Sequence, residues 1–176
     1  MATCALTTGF PRYDCETVTG GISEVYILPY DDFTSVTQSG HEISAITMVG
    51  TPTWYRYQLN EEVGSLTCDE TKDLKQNTAS YVANCAFTLN KMDAAKANEL
   101  SLLVIQQVVV IVKSENGEYF FMGDNRGAHK SGGTNQSTTG TAFGGELQGY
   151  SINLMASQKH DVYEVAASVI SGLTIV

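Results

Sequence analysis

The feature that most narrows the fold of this chain is the position of its one helical pattern. Strand-type segments run before it and after it, and nowhere does strand alternate with helix. That order excludes a parallel βαβ architecture and leaves a mostly β or α+β domain with antiparallel strands. The helical stretch is "NKMDAAKANELSLL". Asn90 is a good N-cap, Asp93 falls in the first turn where the helix dipole favours an anion, and Ala94, Ala97, Leu100, Leu103 and Val104 recur at helical spacing. The spacing predicts one amphipathic helix near 91–103, about three turns long.

Around it the strand signals are dense. "ISEVYILPY" follows Gly20-Gly21 and puts Ile22, Tyr26 and Leu28 on one face, with Glu24 interrupting it. "EISAITM" and "TWYRYQL" are rich in β-branched and aromatic residues. In "SYVANCAFTL", Tyr81, Ala83, Cys85, Phe87 and Leu89 alternate inward with Asn84 and Thr88 outward. Past the helix, "VIQQVVVIVK" and "EYFFMG" flank "SENG", where Asn116-Gly117 suits a type I′ hairpin. A second hairpin is expected to join "GELQGYSINLMA" to "VYEVAASVI" through "SQKHD".

A length of 176 residues fits a single domain, 1–176, with extended loops at 68–77 and 123–145. The second loop is almost free of large apolar side chains, Phe143 being its one aromatic. Charged residues make up 16% of the chain, against about 25% in an average globular protein, which is consistent with surface hidden in an assembly. The net charge of -9 argues against sequence-reading DNA binding, which needs cations to displace counterions. An acidic surface that lets DNA slide past is compatible with it, as is plain solubility.

Cys4, Cys15, Cys68 and Cys85 show no C-x-x-C spacing. Cys85 reads as a buried thiol, and Cys4 and Cys15 flank a turn-like "TTGFPRYD" across which they could pair. Nothing at the N-terminus resembles a signal peptide, so free thiols in a reducing cytoplasm are expected. The longest apolar run, from Leu102 to Val112, is broken by Gln106 and Gln107 and falls short of the roughly 20 residues of a membrane helix.

No catalytic, cofactor or metal set is expected. His41, His129 and His160 fall in predicted loops or turns, without a second ligand at metal spacing. "HKSGG" is not a phosphate loop, because His129 and not Gly precedes Lys130 and a strand follows. "GTAFGG" is no nucleophile elbow, and Asp31-Asp32 and Glu61-Glu62 read as solvated turns. Asn135-Gln136-Ser137 is a chance N-x-S triplet in a Ser/Thr-rich run.

The order "CALTTGF…DC…GGISEVYI", "WYRYQL", "TLNKMDAAKANELSLL", "VVVIVKSENGEYFFMG", "TGTAFGGELQGYSINLMA" and "VYEV" resembles tail tube proteins of tailed bacteriophages, especially the type found in phages of Bacteroidota. The resemblance runs from Cys4 to about Val165. It implies a two-sheet β-sandwich with one flanking helix, built into hexameric rings whose inner sheets join in a continuous barrel. Stacked rings would form the tube through which the genome leaves the capsid. The implied place is the virion tail, after synthesis in the host bacterial cytoplasm. The implied partners are other copies, other tail proteins and double-stranded DNA in transit, without adhesion and without a membrane.

Open strand edges are a liability in a monomer and are satisfied by pairing across subunits. The segment 123–145 is expected to be mobile in a free subunit and ordered by a neighbour, and shortening 127–139 to a tight turn to leave the fold intact while impairing ring or tube formation. The charged loop 68–77 is the other candidate for ring stacking. Glu24, Glu61, Glu62, Glu118 and Glu146 are candidates for the lumen, and Ala97, Leu100 and Val104 for the packed face of the helix. The alternatives are another virion ring or decoration protein (tail terminator, baseplate, head decoration), and a carbohydrate-binding sandwich using Trp54, Tyr55 and Tyr57.

Overall fold

The computed structural model describes residues 8–10, 18–73, 75–131, 137–140, 144 and 147–176. In chain order the elements are β1 (Ile22–Pro29), a 3-10 turn (Tyr30–Asp32), β2 (Phe33–Ser39), β3 (Glu42–Met48), β4 (Thr53–Gln58), β5 (Gly64–Asp73) and β6 (Thr78–Asn90). Then follow α1 (Ala94–Ile105), β7 (Val108–Ser114), β8 (Tyr119–Met122), β9 (His129–Lys130), β10 (Ser137–Thr138), β11 (Gly149–Gln158), β12 (Tyr163–Val165), α2 (Ala167–Ser171) and β13 (Thr174–Ile175).

The run Val108–Val112 has no polar position, so a strand made of it must be covered on both faces. The fold does this with two sheets and two cores. The larger sheet has the order β13-β4-β1-β7-β8-β12-β3-β2, and the smaller β10-β11-β6-β5, with β9 also paired to β11. Between the sheets lie Val25 and Ile27 of β1, Val108, Val110 and Val112 of β7, Ala83, Cys85 and Phe87 of β6, and Ile152, Leu154 and Ala156 of β11. On the far face of the larger sheet Tyr26, Leu28, Val109, Ile111 and Phe121 meet Phe33, Ile43, Trp54 and Ile170. Trp54 Nε1–H donates to Met48 Sδ at 3.2 Å. Since β1, β7, β8 and β12 lie between their strands in the sheet, the larger sheet curls enough to bring side chains of β4 and β3 together.

The two-sheet sandwich and flanking helix agree with expectation; several details are corrected. Pairing is mostly antiparallel, but β12–β3 and β13–β4 are parallel. The "SQKHD" segment does not close a hairpin: β11 lies in the smaller sheet and β12 in the larger, so it crosses between them. "VYEVAASVI" is a strand only to Val165 and then turns into α2. At "SENG" only Gly117 has positive φ, and its N–H donates to Ser114 O at 3.1 Å, so the turn is not type I′. A register shift between Ile22 and Glu24 moves Ile22 into the core of Val25 and Ile27, away from Tyr26 and Leu28.

Helix α1 starts later than the first N-cap signal because Lys91 has positive φ (66°), which breaks the chain after Asn90. Asp93 is the N-cap and accepts from Lys96 N–H at 2.8 Å. Leu100 and Leu103 are buried, whereas Ala97 and Val104 are exposed, which corrects the expected packed face. Leu100→Ala should cost about 2–3 kcal/mol, because Leu100 closes one end of the intersheet core. Thermal unfolding indistinguishable from the parent would show that this contact is not core.

Glu24, one of the lumen candidates, is engaged within the subunit. Burial pulls its carboxyl up, but the Tyr26 phenol donating to it and Lys113 Nζ at 3.7 Å outweigh burial, leaving it below its ordinary value. Tyr26 is pushed up, by burial first and then by this bond. A carboxyl lowered in the folded state stabilises the protein above its unfolded pKa, and that contribution is lost as pH falls through the folded value. Tyr26→Phe should therefore be most destabilised relative to the parent at neutral pH, with the gap narrowing on acidification. Urea titrations of both proteins at several pH values measure it; a gap independent of pH would contradict the account.

Candidate assembly surface

The segment 68–77 is not a loop. Cys68–Asp73 continues β5, and pairing with β6 runs without a shift from Gly64↔Phe87 to Asp73↔Thr78. Asp73 Oδ1 accepts from Lys75 N–H at 2.8 Å and Gln76 N–H at 3.3 Å, and Asn77 takes positive φ (51°), so the turn is set locally. The pairing of β11 with β6 ends at Gln158↔Tyr81. Beyond it the ribbon continues alone, and every described residue from Asp69 to Ser80 is exposed. A two-stranded ribbon with neither face covered is marginal on its own. Strand β5 also ends the smaller sheet, so among the described residues no strand pairs with its outer backbone edge.

The glycine-rich segment behaves differently from expectation where it is described. Gly127 N–H donates to Gly123 O at 2.9 Å, and Gly127 and Ala128 are buried. Gly123 (φ 96°) would place a Cβ 3.0 Å from Ala128 N, so only glycine fits that turn. His129 and Lys130 pair with Met155 and Leu154, and Ser137 and Thr138 with Tyr150 and Gly149. The segment is thus stitched to β11 of its own subunit at two places. Removing 127–139 would delete β9 and buried Ala128, so the fold is not indifferent to it. Residues 132–136, 141–143 and 145–146, which include Asn135, Phe143 and Glu146, lie outside the described residues, as do Cys4 and Cys15.

Between α1 and β11 runs a groove of about 220 Å³, bordered by Leu100, Ser101, Val104, Lys130 and Tyr150. Lys130 stands opposite Leu154, on the core-facing side of the sheet. Burial holds its ammonium below the ordinary lysine range. At the end of the helix Leu102, Val104 and Ile105 are 55%, 60% and 84% exposed, an unusual density of apolar side chains in water.

The other chemistry-bearing groups are spoken for. His160 Nε2 faces Asp124 Oδ2 at 2.8 Å, Nδ1 faces Asp161 O at 2.7 Å, and the ring stacks on Tyr163 at 4.0 Å between centroids. With both nitrogens engaged, neither is available to take a proton from a nucleophile. His129 lies in a short strand, not a loop. Burial, then Asp161, pushes the Cys68 thiol up to about 11, and burial pushes Cys85 up to about 12, so neither is a thiolate at neutral pH. Trp54 is fully buried, which removes it from any sugar-stacking platform with Tyr55 and Tyr57. No helix among the described residues is long and apolar enough to cross a membrane. Comparison with family models, curated proteins and solved structures returns no match.

Glu61, Glu62 and Glu118 are exposed and remain the described candidates for an acidic wall. Sequence reasoning missed the Lys130 groove and the Asp124–His160–Tyr163 stack. Both are built from residues far apart in the chain, and no local pattern marks them.

Proposed function

We propose that the chain is a structural subunit of a bacteriophage tail tube, assembling into stacked hexameric rings that form the DNA-ejection conduit. The observation that carries this reading is the exposed β5–β6 arm together with the open edge of β5. They are surfaces that a lone subunit leaves unsatisfied and that a neighbouring copy can cover. The curled two-sheet sandwich and the net charge of -9 are compatible with a ring whose wall repels transiting DNA.

Sedimentation velocity across concentration, pH and salt tests it. The parent protein should associate into rings or longer species as concentration rises. A variant in which residues 71–80 are replaced by Asn-Gly should keep its strand signal in circular dichroism yet sediment as a monomer. A parent that stays monomeric under every condition would overturn the proposal. Association unaffected by removing the arm would move the contact elsewhere.

A further inference from the structure

Resting on that reading of self-association, we infer that the β5–β6 arm of one copy docks in the α1–β11 groove of a second copy, with Asp69 and Asp73 meeting Lys130. The groove supplies one half of the argument. Among the described residues the Lys130 ammonium makes no ion pair and no side-chain hydrogen bond, although its stem sits on the core-facing side of the sheet. A cation partly removed from water without a countercharge is unfavourable, and its lowered pKa reflects that desolvation. The exposed Val104 gives the groove an apolar edge that a partner would bury.

The arm supplies the other half. Alternation puts Leu66 and Cys68 toward the core and continues through Glu70 and Lys72. Asp69, Thr71 and Asp73 therefore share the opposite face with Thr78 and Ser80, and no cation lies on that face. The acidic face is complementary to a groove holding one uncompensated lysine.

The register excludes docking within one subunit. Lys130 is opposite Leu154, which is opposite Cys85, whereas Asp73 is opposite Thr78. Seven residues of strand separate these levels, roughly 23 Å at about 3.3 Å each. Asp69 is nearer in level but on the other side of the sheet. Arm and groove are thus different surfaces of one chain, and such a contact propagates head to tail and closes into a ring when its rotation permits.

Carbodiimide coupling of an equal mixture of unlabelled and 15N-labelled full-length protein tests the contact. Mass spectrometry should find mixed-isotope peptides joining Lys130 to Asp69 or Asp73. Lys130→Glu should weaken association about tenfold, the scale of one lost partly buried ion pair. Asp69→Lys in the same chain should restore it, Asp73 staying in place because it caps the turn of the arm, and circular dichroism of Lys130→Met checks the fold. Rings in which Lys130 couples to other carboxylates, or in which the reversal is not rescued, would overturn the docking and leave the ring reading standing. Arm–Lys130 links in dimers that never grow would keep the docking and overturn the tube. A parent with no mixed-isotope link that sediments as a monomer throughout would overturn both.

Discussion

Trp54→Ala is expected to lower the unfolding free energy by about 3–5 kcal/mol, the usual cost of emptying a fully buried aromatic site. Trp54 has no exposed surface, and its indole bridges the curl of the larger sheet by donating to Met48 Sδ. Its backbone is held as well: Val176 N–H donates to Trp54 O at 2.9 Å, tying β4 to the C-terminal residue. Truncation leaves a cavity among Tyr26, Leu28, Phe33 and Ile170 that strands on both sides of the curl would have to collapse to fill. For a domain of this size the melting temperature should fall by roughly 6–20 °C. Trp54→Phe should retain much of the packing and lose only the N–H donor. A melting curve for Trp54→Ala within two degrees or so of the parent would show that the larger sheet does not depend on this closure.

Gly149→Ala should be comparably damaging for a different reason. A Cβ at Gly149 would lie 2.0 Å from Leu89 O and 3.0 Å from Leu89 C, and both are backbone atoms that cannot rotate away. Gly149 begins the pairing of β11 with β6, which makes the centre of the smaller sheet, and it also pairs with Thr138 of β10. Relief requires the two strands to separate at that end, and the cost should be on the order of 3 kcal/mol or more. In urea the midpoint should fall while the parent's slope is kept. An unchanged midpoint would mean that the close approach of β6 and β11 is not needed.

The parts of the fold that the sequence makes legible are those in which one face alone is buried. Ala83, Cys85, Phe87 and Leu89 alternate as expected because β6 has core on one side only. The central strand β1 is harder to read, since Val25 through Leu28 are all buried and a bulge switches the side of Ile22. The "SQKHD" crossover has the length and polarity of a hairpin turn, and only the different sheets of β11 and β12 distinguish them. The sequence puts the N-cap at Asn90 and Asp93 inside the first turn, but Asp93 is a capping residue of the same type, and the positive φ of Lys91 makes it the cap.

The assembly surface is legible in outline only. Residues 68–77 stand out as charged, but their low strand propensity hides a ribbon whose register is imposed by β6. Lys130 sits in a glycine-rich segment that reads as loop, while its position opposite Leu154 follows from a two-residue strand too short for any periodicity.

Electron cryomicroscopy of the protein concentrated until it associates tests the central claim most directly. The account predicts six-fold rings, alone or stacked, with the β5–β6 arm at an intersubunit contact and a channel lined predominantly by carboxylates such as those of Glu61, Glu62 and Glu118. Assemblies without a central channel, or rings whose channel is predominantly basic, would contradict it.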